Sequence, residues 1–397
     1  MLNASRTCLP ITLSILLFFS FFGGASWART AESLHHISAK ECKTCHEEIY
    51  SQWSGSMHAN STALKDPIHG AFYKAVIGNP EQEGIKKKGK YPVCLQCHAP
   101  AAAKDGKTNL TTMPVYNEGI NCVACHTITG FKGTKKPEGG LQLGIKAYEF
   151  SDNSLQGPGI NRTSSDWQHP IFQNTANPKV FKSGAVCMGC HDQRKNANKV
   201  ALCQTGDEIA ADGSSNCLTC HMPVMNGKAD HSLLGGHSAK MASKGLLMTM
   251  TVKQDSALEV VITLANQLPH NFPTGAPFRN VYIKLTGYDK QGQEIWVSSQ
   301  SHPIKDDKQA MLIYSLGDAN GNPAPPPKAT QVLGDTRLKP HETRELNYSV
   351  PKQGIVKLRA VAYYDLLLPP MKQKFAKPEH KILTTSKVIA VSETQLD

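Results

Sequence analysis

Five copies of Cys-x-x-Cys-His fall within about 180 residues, at Cys42–His46, Cys94–His98, Cys122–His126, Cys187–His191 and Cys217–His221. Cysteines three apart and a histidine one residue further share one face of a helical turn. That spacing attaches haem through two thioethers, and the histidine supplies the proximal iron ligand. Zinc ribbons pair two Cys-x-x-Cys knuckles and need no histidine directly after each; a redox dithiol occurs once, ahead of a helix. The expected cofactor is therefore haem c, five copies. They attach at Cys42, Cys45, Cys94, Cys97, Cys122, Cys125, Cys187, Cys190, Cys217 and Cys220, with His46, His98, His126, His191 and His221 as proximal ligands.

This density constrains the fold. About 36 residues per haem cannot wrap each macrocycle in its own core. The haems must act as the core, held by short helices and irregular segments. Ten of the twelve cysteines are used in this way. Cys8 precedes the first apolar run, and Cys203 is expected to be a small buried residue.

Arg6, the apolar run Leu9 to Phe22 and the small-residue stretch ending at Ala28 read as a signal peptide over 1–28. No other stretch is apolar and long enough to span a bilayer, so no stable transmembrane segment is expected after cleavage. Export to the periplasm or outer cell surface fits haem attachment outside the cytoplasm. The formal charge of +11 falls by one when Arg6 is removed. Five haems add about ten propionate charges, bringing the mature protein near neutrality and excluding nucleic acid as a partner.

After Lys240 the pattern changes. Leu246–Val252, Ala257–Asn266, Val281–Tyr288, Glu294–Ser299, Thr343–Val350, Val356–Leu367 and Lys387–Val391 read as strands, β-branched and aromatic with turn signals between them. The fold class is thus mixed: a pentahaem region over 29–240, then an antiparallel, Ig-like β-sandwich over 241–397. The Pro-rich stretch 317–330 reads as a long exposed loop.

Several segments resemble cytochrome c-554-type multihaem cytochromes over most of 35–240. They are Glu41 to Ala59, with Trp53, Ser56 and His58, then CLQCHAP (94–100), GINCVACH (119–126), CMGCHD (187–192) and CLTCHMP (217–223). The resemblance implies electron transfer, although the group also contains enzymes related to hydroxylamine oxidoreductase and the multihaem nitrite reductases. It makes His58 the first candidate for a distal ligand. His46 and His58 would be about 18 Å apart on one continuous helix, so His58 must serve a different haem.

Eleven histidines lie outside the motifs, enough to make every haem bis-histidine. The other distal candidates are His69, His169, one of His231 and His237 (with His237 favoured), and His270. His35 and His36 are reserves. His270 lies in His-Asn-Phe-Pro-Thr-Gly, where prolines and Gly275 fix a protrusion; a similar segment accompanies haem regions in related proteins. The expected function is electron transfer in anaerobic respiration, from a quinol-linked donor to other cytochromes or a terminal reductase. The alternative is an oxidoreductase acting on nitrogen or sulfur compounds at one open-coordination haem. No Cys-x-x-Cys-Lys variant is present, which favours a carrier and leaves enzyme status open.

Overall fold

Asparagine starts two of the motif helices. Asn121 accepts the Ala124 N–H at 3.0 Å and caps Cys122–His126, and Asn216 accepts the Leu218 N–H at 2.8 Å and caps Cys217–His221. The second and fourth motifs lie on Leu95–His98 and Ala185–His191, and His46 stands just before α1, Glu47–Ser54. The computed structural model describes residues 33–159, 172–212, 216–375 and 378–396; the signal segment and His169 lie outside them. Among the described residues no helix is long and apolar enough to cross a membrane.

Ile49, Trp53 and Met57 recur every fourth residue, but only the first two lie on the helix. α1 ends at Ser54 with Gly55 as its cap, leaving Met57 beyond it, because Ser-Gly-Ser favours turns over helix. Trp53 is buried and its indole N–H donates to the Ile120 carbonyl at 2.8 Å. α2, Pro67–Val76, starts with Asp66 accepting the Ile68 N–H at 2.9 Å and proline in its first turn. It bridges two cores. Tyr73 packs with Leu95, Leu110 and Val115, while Ile68 joins the core beneath the C-terminal strands and Phe72 stacks on Phe278.

Short ribbons interrupt the haem region where only loops and helices were expected. Ile128–Phe131 pairs with Tyr148–Phe150, Arg194–Lys195 with Ala201–Cys203, and Val224–Met225 with Lys228–Ala229, while Ser154–Gly157 runs parallel to Gln173–Ala176. Cys203 is half-buried on the second ribbon, its sulfur 3.6 Å from the Thr205 hydroxyl, and not fully enclosed as expected.

Among its described residues the C-terminal region holds nine strands: β1 (Leu246–Gln254), β2 (Leu258–Asn266), β3 (Asn280–Tyr288), β4 (Glu294–Val297), β5 (Met311–Gly317), β6 (Gln331–Asp335), β7 (Thr343–Val350), β8 (Lys357–Asp365) and β9 (Lys387–Gln395). They form two antiparallel sheets, ordered β7-β2-β1 and β6-β5-β3-β8-β9, with β4 on β3. Along β2, Leu258, Val260, Ile262 and Leu264 face inward at every second position. They share one buried cluster with Ile283 and Leu285 of β3, Leu312 of β5 and Leu358 of β8. Each such side chain contributes about 1.5–3 kcal/mol on burial. Ala242 and Ile68 belong to the same cluster, and residues 33–397 form one compact unit.

β5 and β6 were not anticipated, and they change the reading of the Pro-rich loop between them. Asn196 donates to the Pro326 and Ala329 carbonyls at 2.9 and 2.7 Å, and Asn198 to Ala329 at 2.9 Å. Ala329 is fully buried with Val200, Tyr314 and Leu316. The loop base is docked on the haem region; its tip, residues 319–323, is exposed.

Candidate haem sites

The five motifs come together. The thiols of Cys42 and Cys122 are within hydrogen-bond reach, as are those of Cys97 and Cys190, and of Cys187 and Cys217. Cys125 lies in the electrostatic field of Cys187 and Cys190. The first motif thus meets the third, the third the fourth, and the fourth both the second and the fifth. Two close approaches depend on glycine. At Gly119 (φ +67°) a Cβ would lie 2.2 Å from the His58 carbonyl oxygen, the acceptor of the Ile120 N–H. At Gly189, inside the fourth motif, it would lie 2.4 Å from the Tyr148 ring, whose hydroxyl accepts the Gly189 N–H at 2.8 Å.

Two imidazoles gripping one iron from opposite sides place their ring centres about 6 Å apart, given metal–nitrogen bonds of about 2 Å. His58 and His191 are 5.9 Å apart, and His126 and His231 are 6.4 Å apart. His69 and His98 are closer, 3.9 Å with their planes tilted by 34°, and His69 Nε2 is buried without a hydrogen-bond partner among the described residues. His270 lies in the electrostatic field of His221.

The tautomers also suit iron. Nδ1 of His69 and His98 each sit 2.9 Å from the Ser61 carbonyl. Nδ1 of His126 bonds Gln156, that of His221 Leu234, that of His231 Ala229 and that of His270 Asn271, all at backbone carbonyls 2.6–2.9 Å away. A carbonyl can only accept, so the proton is on Nδ1 and the Nε2 lone pair is left for a metal. Burial, with His191 and His221 beside it, holds His58 down to about 3. Burial likewise lowers His69, His98, His126, His191, His231 and His270, keeping them neutral as ligation requires. The donor set fits haem.

The other histidines are placed differently. His237, favoured from sequence, has no carbonyl on Nδ1 among the described residues; burial lowers it to about 4, with Arg279 and Lys387 adding to the effect. Of the two histidines, it is His231 whose ring lies 6.4 Å from that of His126, on which Phe181 also stacks at 5.4 Å. The turn at Asp230, which accepts the Ser232 N–H at 2.8 Å, holds His231 there, and the sequence signal available was this Asp-His-Ser triplet. His35 and His36 point at Asp105.

The His270 protrusion is held from both sides. Glu208, on α3 (Thr205–Asp212), accepts the Asn271 N–H at 3.0 Å, the Thr274 hydroxyl at 2.7 Å and Arg337 Nη1 at 3.0 Å. Arg337 is also paired with Asp335 of β6, at 2.8 Å. Asn266 donates to the His270 carbonyl at 2.8 Å.

The Cytochrome c554 and c-prime family matches residues 41–127. No curated protein matches the chain. Among solved structures, a penta-heme cytochrome c552 from Thermochromatium tepidum is 47% identical, with a TM-score of 0.86, covering 92% of this chain and 100% of that one. With five attachment motifs, imidazoles set for iron, and this relative matched over its whole length, the chain belongs to the multihaem c-type cytochromes and carries five covalently bound haems c.

Proposed function

We propose that this cytochrome is an exported carrier that moves electrons between respiratory proteins, with each haem held between two histidines. Haem iron supplies a one-electron ferric/ferrous couple. The chain supplies position, ligands and exclusion of water. In this assignment His191 and His58 would hold the fourth haem, His126 and His231 the third, His221 and His270 the fifth, and His98 and His69, whose rings must part from 3.9 Å to about 6 Å, the second. His46 would serve the first as its proximal ligand. The observation that carries the reading is the roughly 6 Å spacing of the ring centres, 5.9 Å for His58/His191 and 6.4 Å for His126/His231. Bis-histidine ligation gives a low potential, suited to a quinol-linked donor and to other cytochromes or a terminal reductase in anaerobic respiration. The leader over 1–28 supports the periplasm or outer surface as its location. In the same reading the pentahaem region runs over 29–240, and the two sheets over 241–397 face each other as a sandwich that closes onto it.

The wholly low-spin state is the test. Electron paramagnetic resonance of the oxidised protein is expected to show low-spin ferric haem alone, and the reduced protein to leave carbon monoxide unbound. One observation favours the enzyme alternative: His69 lies beside His98 and 5.9 Å from the ring of Tyr73, whose buried hydroxyl has no hydrogen-bond partner among the described residues. A high-spin component binding nitrite, hydroxylamine or carbon monoxide would make the second site an open, catalytic one and sink the carrier reading.

The third site has its own test. His231→Ala is expected to convert one haem to high spin, whereas His237→Ala leaves the spectrum as in the parent. The reverse result would return the assignment to His237.

A further inference from the structure

We propose that His35, His36 and Asp105 form a binding site for one divalent transition-metal ion of the zinc type, separate from the five haems. Their ligating atoms all lie within 4.8 Å of one another. His35 Nε2 is 2.7 Å from Asp105 Oδ1 and His36 Nε2 is 2.7 Å from Oδ2, so both imidazoles address one carboxylate through the same ring nitrogen. The two rings are 4.2 Å apart and tilted by 59°, which turns the nitrogens toward a common point. Zinc bonds of about 2.0–2.2 Å hold neighbouring donors about 3 Å apart, so an ion enters with only a small opening of the cluster.

The surrounding groups orient the ligands as at metal centres. Ser33 Oγ lies 2.7 Å from His35 Nδ1, and the Tyr116 hydroxyl donates to Asp105 Oδ2 at 2.5 Å. Side-chain exposures of 18% (His35), 24% (His36) and 21% (Asp105) leave one side open for water as a further ligand. Two imidazoles and a carboxylate form a borderline donor set that suits zinc better than calcium or magnesium, which prefer oxygen. The site joins two separate pieces of chain. His35 and His36 lie on the turn Leu34–His36, and Asp105 ends the helix Pro100–Lys104, which begins two residues after the second proximal ligand, His98. The ion is a clamp holding the start of the described chain to the second haem site.

The test uses the full-length, haem-loaded protein, stripped with a chelator and then equilibrated with zinc chloride. Mass spectrometry of the metal content is expected to give one zinc per chain. His36→Ala and Asp105→Asn are each expected to weaken zinc binding by at least about tenfold, with the haem absorption unaltered. X-ray absorption at the zinc edge of the parent protein, a readout independent of any variant, is expected to show two imidazole nitrogens with oxygen. Failure to retain zinc overturns the proposal, as does equal retention in the two variants or an edge spectrum lacking imidazole.

Discussion

Glu208→Ala is expected to lower the stability of the holoprotein by about 3–5 kcal/mol, the usual cost of breaking a buried ion pair. Glu208 and Arg337 are 7% and 8% exposed, so water cannot replace the lost partner. The substitution also leaves the Asn271 N–H and the Thr274 hydroxyl without the acceptor they now share. Arg337 retains Asp335, which keeps the loss from growing further. Differential scanning calorimetry at neutral pH reads this as a drop of several degrees in Tm, and Glu208→Gln, which keeps an acceptor, is expected to lose less. An unchanged Tm would mean that the contact between α3 and the His270 protrusion contributes nothing.

The same cluster carries a pH dependence. Burial alone would raise the Asp335 carboxyl, but the Arg337 hydrogen bonds and charge, with Lys339, hold it below the usual carboxylate range. A carboxylate lowered in the folded state stabilises fully above its unfolded value of about 3.9 and loses that contribution as pH falls below it. The parent is therefore expected to lose more Tm between pH 5 and pH 3 than Asp335→Asn.

His58→Met is expected to raise the potential of one haem in five by on the order of 0.1 V, within the roughly 0.8 V that axial ligation spans. Methionine opposite histidine favours the ferrous state relative to two imidazoles. His58→Ala is expected to give one high-spin haem. Potentiometric titration and paramagnetic resonance read the two variants. If both leave every potential and spin state unchanged, His58 is no ligand, whatever its 5.9 Å spacing from His191.

Attachment chemistry was legible in the sequence because it depends on spacing alone, five residues at a time. Strands with alternating burial, such as β2, were equally plain. β5 was missed because Met311 to Leu316 is buried on both faces and carries no alternation. The proposal of His231 over His237 could not come from the chain, because it rests on which ring lies near His126, a residue more than a hundred positions earlier. The cluster of His35 and His36 with Asp105 was hidden for the same reason.

The proposed long-range imidazole pairs also bear on how the protein would be made. In an exported chain paired this way, His58 leaves the channel roughly 130 residues ahead of His191, while His231 leaves after His126 is already outside. The third haem would then stay half-ligated until His231 has followed the fourth and fifth motifs out, and the fifth until His270 has emerged, whereas the second and fourth would find His69 and His58 already outside. Ending the chain before His231 would leave the third and fifth haems five-coordinate and exposed, and would yield no smaller working cytochrome.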